Sequence, residues 1–197
     1  MKILVSMKRV ADPDNANKVK ISADGRKVTS EGLEWKPNPF DEYAVEAALR
    51  LAENAGTKEM LGEVVVFSVG PEEVTQQIRQ CLAMGANRGI LVEGNDDDLD
   101  SIVVARAIAK LVEKEKPDLL LVGKQAVDGD SNQVAQIAAE MLGWPQATFA
   151  GRIETPADFS SATVTREVDG GSAKVRVKLP AVISVDLRIV APDAIKN

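Results

Sequence analysis

The sequence predicts an α/β fold, in which an open and mostly parallel β-sheet carries helices on both faces. Three observations support this prediction. Short apolar runs recur along the chain, amphipathic helical patterns separate them, and turn residues mark where the helices begin. Strand followed by helix, four times over, is typical of an open sheet with right-handed crossovers.

The predicted parallel strands come from four apolar runs, residues 3–5, 64–67, 90–92 and 119–122. Each run is continuous rather than alternating, and most are rich in β-branched residues. This is the pattern of strands that are buried on both faces of a parallel sheet.

Apolar side chains recur at helical spacing between these runs. Residues 44–52 and 134–142 each carry an apolar stripe on one helix face. Residues 101–116 predict a third helix, which Pro117 prevents from continuing. Cys81 occupies a helical position, where a small buried hydrophobe is expected rather than a reactive thiol.

Capping residues mark the predicted helix starts. Asn38-Pro39 offers a cap followed by the residue preferred at the first helical position, and Gly70-Pro71 repeats this arrangement. The aspartates at 96–98 precede the next helix. We expect them to act as caps and partners of the helix dipole, with a metal cluster as the alternative.

Two hairpins interrupt the alternation of strands and helices. Asp24-Gly25 separates two short extended pieces, and Asp169-Gly170-Gly171 separates residues 163–168 from residues 174–179. Residues 182–187 predict one further strand. The last part of the domain is therefore expected to be antiparallel.

Length and charge limit the classes of function. The chain has 197 residues, which is enough for one domain at the usual ~100–200 residues per domain. The formal net charge of −6 argues against nucleic acid as the main partner, because phosphate neutralisation needs clustered Lys and Arg. No apolar run is long enough to span a bilayer, and the N-terminus does not resemble a signal peptide.

The scarcity of cysteine and the absence of histidine also argue against several kinds of site. A single cysteine, Cys81, permits no internal disulfide, so a reducing cytoplasm is the expected location. Histidine is absent, which removes the commonest general base and the commonest zinc ligand.

The segment GKQAVDGDSNQ, residues 123–133, is the candidate ligand-binding loop. It follows a predicted strand and leads into a helix N-terminus, and ligands of open α/β sheets bind beyond the carboxyl ends of the strands. Gly123 and Gly129 allow a ligand close to the backbone. Residues 131–133 add short polar side chains, so the composition favours a nucleotide site.

The alternative interpretation is that Asp130 or Ser131 caps the helix and the remainder is a polar turn. A cap needs one such residue, whereas this loop has many more polar side chains. Other nucleotide motifs are missing, because the sequence contains neither a G-x-G-x-x-G after the first strand nor a G-x-x-x-x-G-K-[ST].

Several motifs resemble the β-subunit of electron transfer flavoproteins. They are NPFDEYAVEAALRL, LAMGANRGI, GKQAVDGDSNQV, LGWPQATFA, and TREVDGG followed by LPAVISVDLR. They occur in the family's order and extend to about Arg188, so the resemblance covers nearly all of the chain.

The resemblance implies an electron carrier with no bond chemistry of its own and a fold similar to the adenine nucleotide hydrolases. Members are α/β heterodimers that carry electrons from dehydrogenases, such as acyl-CoA dehydrogenases, to a quinone oxidoreductase or another acceptor. The α-subunit holds most of the redox FAD and the β-subunit closes over it. The β-subunit also binds a structural AMP, or a second FAD in the electron-bifurcating branch.

Carried over to this chain, the resemblance implies a set of nucleotide-binding residues at strand ends and helix starts. Backbone groups at Ser6 and Val69 would hold the adenine, and residues 129–133 would face the phosphate. Lys8 and Arg9 would serve the phosphate or a subunit contact, or be ordinary surface charges. The full set is Ser6, Asn38, Pro39, Phe40, Asp41, Val69, Gly123, Lys124, Gln125, Ala126, Val127, Asp128, Gly129, Asp130, Ser131, Asn132, Gln133 and Val134.

A second group, Arg166, Glu167, Asp169 and Gly170, would face the α-subunit and the flavin. The alternative is a plain hairpin turn, which leaves Arg166 and Glu167 unexplained. No metal site is implied.

The chain departs from the family pattern in three places. Pro13 stands near the position where many members have an aromatic residue beside the flavin. The ending DLRIVAPDAIKN differs from the usual proline-arginine. We expect one domain over residues 1–188, and residues 189–197 to begin a C-terminal extension whose recognition loop and arm are missing.

Two other classes share this fold class. An ATP-binding regulatory module of the stress-protein type would explain the loop but not TREVDGG. An ATP pyrophosphatase-type ligase would need a Ser-Gly-Gly-x-Asp-Ser turn after the first strand, and SMKRVADP does not contain one.

Overall fold

A computed structural model describes residues 1–29, 32–54, 57 and 59–195. Within these residues the helices are α1 (Pro39–Ala52), α2 (Thr75–Met84), α3 (Ser101–Glu115) and α4 (Val134–Leu142). The strands are β1 (Lys2–Ser6), β2 (Arg9–Ala11), β3 (Lys20–Ile21), β4 (Val28–Thr29), β5 (Trp35–Pro37), β6 (Glu63–Gly70), β7 (Arg88–Glu93), β8 (Leu119–Gly123), β9 (Gln146–Glu154), β10 (Ser161–Val168), β11 (Gly171–Lys178) and β12 (Ala181–Val185).

The main sheet is open and mostly parallel, as the sequence predicts. Its strand order is β11-β10-β9-β12-β8-β1-β6-β7. All neighbours from β9 to β7 are parallel, whereas β10 is antiparallel to both β9 and β11. The four predicted apolar runs form β1, β6, β7 and β8, so the prediction of the parallel strands is confirmed.

Helices cover both faces of the sheet. In β1, Ile3 and Val5 pack into the layer that contains α1 and α2, while Leu4 packs into the layer that contains α3 and α4. The strand β8 alternates in the same way, with Leu121 on the first face and Leu120 on the second. A strand that is buried on both faces has no polar side to alternate with, which explains the continuous apolar runs.

The final strand corrects the expectation of an antiparallel C-terminal part. The strand β12 lies between β8 and β9 and is parallel to both. Its five residues, Ala181–Val185, are all buried. The sequence analysis does not predict the strand β9, which lies between β12 and β10 in the sheet.

Both predicted hairpins are confirmed. The strands β3 and β4 pair across the Asp24-Gly25 turn, with Ile21 opposite Val28. The strands β10 and β11 pair across the Gly170-Gly171 turn, where both glycines have positive φ. The latter hairpin forms one edge of the main sheet.

The helix starts are only partly as predicted. Helix α1 begins at Pro39, but the Asn38 side chain makes no capping hydrogen bond. Residues after Pro71 first form a 3₁₀ turn, and α2 begins at Thr75.

The aspartates at 96–98 do not cap α3, because Asp100 accepts the N–H groups of Ile102 and Val103. They form a 3₁₀ turn that Asn95 caps. Two of these aspartates instead form ion pairs, Asp96 with Arg9 and Asp97 with Lys27.

Candidate functional site

A crevice opens at the carboxyl ends of β1 and β8, which are neighbours in the sheet. The chain leaves β1 toward α1 on one face and leaves β8 toward α4 on the other face. Because the two connections diverge, they leave a gap between the strand ends. This is the position at which open α/β sheets bind their ligands.

The crevice forms a cleft of about 520 Å³. The size is that of an ordinary small-molecule site. Most residues of the predicted nucleotide set line it: Ser6, Asn38, Asp41, Val69, Gly123, Lys124, Gln125, Ala126, Asp128, Gly129, Asp130, Ser131, Asn132, Gln133 and Val134.

Three residues of the predicted set do not line the cleft. Pro39 is the first residue of α1, and Phe40 is buried next to it. Val127 has a partly exposed side chain, and it contributes its backbone N–H to Asn38. The structure therefore brings together the loop and the strand ends, while the start of α1 contributes Asn38 and Asp41.

Asn38 holds the candidate ligand-binding loop, residues 123–133, which we call the junction loop, in place. Its side chain is buried, its Nδ2 donates to the Gln125 carbonyl at 2.8 Å, and its Oδ1 accepts the Val127 N–H at 3.2 Å. The amide thus satisfies two backbone groups of the loop and none of α1. The sequence predicts that Asn38 caps α1. In the structure its side chain fixes the wall of the cleft instead.

We expect N38A to loosen this loop. The variant leaves the Gln125 carbonyl and the Val127 N–H without their partner, which should lower the free energy of unfolding by about 1–3 kcal/mol. Urea denaturation measures this loss, and hydrogen exchange should show faster exchange at Val127. N38D keeps the acceptor but buries a carboxylate against the Gln125 carbonyl and beside Asp41, so a loss at least as large as that of N38A is expected. Equal stability of all three proteins would contradict this role.

Asp41 joins the two strand ends beneath the cleft. Its Oδ2 accepts the Lys8 N–H at 2.8 Å, and its Oδ1 accepts the Gly123 N–H at 3.0 Å. The residue is 4% exposed. Burial raises the pKa of the Asp41 carboxyl to about 7, although the two backbone N–H groups and Asn38 favour the charged form.

The raised pKa predicts a pH-dependent stability. Between the unfolded pKa, near 3.8, and about 7, the folded protein binds more protons than the unfolded chain, so stability falls as the pH rises. Relative to D41N, which cannot titrate there, the wild type should lose stability from pH 4 to pH 7 and then level off. Thermal melts of both proteins across this range test the prediction. A parallel pH dependence of the two proteins would show that Asp41 does not titrate there.

The loop itself presents free N–H groups to the cleft. Asp130 and Asn132 both adopt left-handed backbone conformations, with φ of 48° and 49°. Non-glycine residues in this region are strained and tend to occur at functional sites. Among the described residues, nothing pairs with the N–H groups of residues 131–133, and α4 begins at Val134 without a side-chain cap.

Free N–H groups next to a helix N-terminus are an arrangement that favours anions in general. The alternative interpretation, in which Asp130 or Ser131 simply caps α4, does not hold. Gln125 instead donates to the Asp130 carboxylate at 2.6 Å, which helps to fix the loop.

Two ion pairs cross the rim of the cleft. Lys8 Nζ lies 2.7 Å and 2.8 Å from the two carboxylate oxygens of Asp128. Arg9 Nη2 lies 2.7 Å from Asp96 Oδ2, and its guanidinium carbon lies 4.4 Å from the centre of the Trp35 ring. Both cations therefore line the cleft, and each forms an ion pair with a carboxylate from another loop at its rim.

The predicted flavin-facing residues lie around a second cavity of about 660 Å³. Arg166, Glu167, Asp169 and Gly170 line it together. Arg166 is fixed by Thr148, whose carbonyl and hydroxyl oxygens accept from its guanidinium at 2.7 Å and 2.6 Å. The plain-turn interpretation does not account for these contacts.

Sequence reasoning missed the other wall of this second cavity. Phe149 has φ of 60°, at a place where β9 changes register against both neighbours, so a bulge re-aims its ring. Lys124 Nζ lies 5.0 Å from the centre of that ring and 3.3 Å from Asp186 Oδ2. Arg188 completes the wall through its ion pair with Glu167.

Lys124 lines both cavities, so the two sites are adjacent. The motif ATFA contains no local signal for a left-handed phenylalanine. Trp35, in the first cleft, was missed because a single aromatic in a short strand carries no pattern.

Other kinds of site find no support in the described part of the chain. No group of three or more possible metal-ligating side chains occurs there. Cys81 is buried in α2, and burial raises the pKa of its thiol to about 12, as expected of a core residue. No helix there combines the length and the apolar composition that crossing a bilayer requires.

Comparison with known proteins points to one family. The electron transfer flavoprotein domain profile matches residues 26–197. The chain is 46% identical over 192 residues to the electron transfer flavoprotein subunit beta of Bradyrhizobium diazoefficiens, covering 98% of this chain and 74% of that one. The human subunit is 45% identical over 195 residues, covering 98% and 73%, and the mitochondrial subunit of Arabidopsis thaliana is 45% identical over 192 residues, covering 98% and 74%.

Proposed function

Because the chain belongs to the electron transfer flavoprotein family and matches its beta subunits, we propose that it is the β-subunit of a heterodimeric electron carrier. In this proposal it binds a structural AMP in the cleft between β1 and β8 and closes over an FAD held mainly by the α-subunit. The dimer carries electrons from dehydrogenases, such as those acting on acyl-CoA in fatty acid oxidation, to a quinone oxidoreductase or another acceptor.

The observation that carries the nucleotide proposal is the junction loop. Its unpaired N–H groups at residues 131–133 and the start of α4 offer donors and a positive dipole end to a phosphate. Ser6 and Val69, at the ends of β1 and β6, line the far part of the same cleft, where an adenine would bind. A mononucleotide can therefore contact both parts at once.

We infer that the cleft binds AMP rather than a second FAD, because ion pairs close part of its rim. The pairs Lys8–Asp128 and Arg9–Asp96 bridge its two sides, and Trp35 packs against the second pair. A larger cofactor would need these contacts to open, because FAD has more than twice the atoms of AMP. The bifurcating alternative is an outcome of the experiment below.

The second cavity supports a role toward the flavin. Arg166, Lys124 and Arg188 bring cationic groups to its wall, next to the acidic side chains of Glu167 and Asp186. Fixed charges beside an isoalloxazine tune its potential without any acid, base or nucleophile. This arrangement fits a carrier that performs no bond chemistry of its own, and the chain has no histidine for general-base work.

Two further expectations belong to the proposal. The nucleotide-binding domain spans residues 1–188, and residues 189–197 begin an extension toward the partner. The cytoplasm is the proposed location, and the relative from Arabidopsis thaliana is named as mitochondrial.

Co-expression with the α-subunit tests the function. The purified dimer should show flavin absorbance and, on denaturation, release AMP and FAD in equal amounts. S131E, which puts a negative charge at the free N–H groups, should lose AMP, whereas Q80E adds the same charge on exposed α2 and should retain it.

Other outcomes would redirect the proposal. Two FAD molecules per dimer would place the chain in the bifurcating branch. Retained ATP without flavin would indicate a stress-type regulatory module, and adenylate formation from ATP would indicate a ligase. Finding no adenine nucleotide would reject the cleft as a nucleotide site.

A further inference from the structure

The carboxylate of Asp41 is placed to control the width of the cleft. It lies on the first turn of α1, yet both of its oxygens accept backbone N–H groups from other segments. One is that of Lys8, in the segment that follows β1, and the other is that of Gly123, the last residue of β8. These two strands form the floor of the crevice, so one side chain fixes both of its sides.

The backbone around the Asp41 carboxylate is closely packed. A Cβ atom on Gly123 would lie 2.2 Å from Asp41 Oδ1, so the β8 backbone lies directly on the carboxylate. The Asp41 residue is 4% exposed, and its neighbour Asn38 holds the loop that continues from Gly123. Movement of the carboxylate would therefore shift the strand end from which the phosphate-binding loop starts.

We propose that Asp41 is a positioning residue for the adenylate: its carboxylate holds the ends of β1 and β8 at the separation that the nucleotide requires. The proposal rests on the nucleotide function inferred above. Asp41 acts through the backbone of Lys8 and Gly123, because both of its oxygens are already engaged there.

Ionisation of Asp41 should affect this role. A carboxylate accepts a strong hydrogen bond at each oxygen, whereas a protonated carboxyl group has only one good acceptor oxygen. The titratable groups near it come from each neighbouring element. They are Lys8 after β1, the adjacent Glu42 on α1, the Cys81 thiol on α2, which burial keeps neutral, and Lys124, which follows Gly123. Lys8 and Lys124 are themselves paired with Asp128 and Asp186, so neither forms a direct ion pair with Asp41.

The test uses the dimer purified with its α-subunit and AMP as the probe. AMP affinity of the wild type and of D41N is measured at pH 6, 7 and 8. We expect D41N to bind AMP about tenfold more weakly at pH 8, since one N–H then faces an amide NH₂ instead of a carboxylate oxygen. Wild-type affinity should rise from pH 6 to pH 8 relative to D41N, which corrects for titration of the phosphate itself.

A second readout separates positioning from a general loss of stability. In the wild type, the amide proton resonances of Lys8 and Gly123 should shift together with a midpoint near the Asp41 titration, and in D41N they should not. Q80E, on the exposed face of α2 and outside the cleft, should leave both resonances and their pH dependence unchanged.

The outcomes separate this inference from the proposed function. A wild type that binds no AMP at any pH contradicts the function. A wild type that binds AMP while D41N binds it equally, with the same pH profile, contradicts the role of Asp41. An affinity that falls relative to D41N as the pH rises would show that the charge repels the nucleotide, and would overturn the proposal as well.

Discussion

G123A is expected to lower the free energy of unfolding by about 3 kcal/mol, among the largest effects of a single methyl group in this chain. The added Cβ would lie 2.2 Å from Asp41 Oδ1, 2.9 Å from Phe40 Cβ and 3.0 Å from the Asp41 N. Two of these atoms belong to the first turn of α1 and are not free side-chain ends. The carboxylate can move away only by releasing the N–H groups that it accepts.

The matched control is G129A, in the same loop. Its added Cβ would meet nothing closer than Ser131 Oγ at 3.9 Å, so a change within about 0.5 kcal/mol is expected. Urea denaturation of the two variants beside the wild type measures the difference. Equal stabilities of G123A and G129A would show that the close approach of β8 to α1 is not a feature of the folded protein.

The parallel core of this fold was predictable because its signal is local. Strands buried on both faces consist of uninterrupted apolar residues, and β1, β6, β7 and β8 all lie within such runs. The same signal was present in β12, whose residues Ala181–Val185 are buried throughout. The sequence analysis groups β12 with the hairpin because β12 follows the hairpin along the chain, and a local pattern does not specify which strands become neighbours.

The composition of the site was predictable, but its geometry was not. A loop rich in glycine and polar residues after a strand indicates ligand binding. By contrast, Asn38 has the local pattern of a cap, and contacts with residues 87 and 89 positions away determine its actual role. The left-handed conformation of Phe149 also depends on the register of three strands, so no sequence window could reveal it.

The cleft depends on side chains that hold backbone rather than on side chains that point into it. Asn38 fixes the loop at Gln125 and Val127, and Asp41 fixes the strand ends at Lys8 and Gly123. A site held in this way is formed before the ligand arrives, and little conformational entropy is lost on binding. This property suits a nucleotide that is retained rather than turned over.

At the opposite end of the sheet, E115A is expected to lower the free energy of unfolding by about 2 kcal/mol, because Glu115 joins two basic residues there. Arg88 donates to its carboxylate from two nitrogens, at 2.6 Å and 3.3 Å, and Lys2 Nζ lies 3.4 Å from Oε2. The Glu115 side chain is only 10% exposed, and its removal leaves Arg88 and Lys2, whose side chains are 41% and 28% exposed, without their main carboxylate partner. Glu63, which contacts both cations, is more exposed and compensates in part.

The pH dependence and a control on the same helix identify the cause of this loss. The hydrogen bond from Arg88 lowers the pKa of Glu115, so its contribution is fully present above the ordinary glutamate pKa of 4.5 and is lost as the pH falls further. The stability difference between wild type and E115A should therefore shrink in acid. E113A removes only the exposed pair with Lys110 and should change stability by less than about 0.5 kcal/mol. A loss for E113A as large as that for E115A would assign the effect to α3 itself, and the cluster of Lys2, Arg88 and Glu115 would then contribute little.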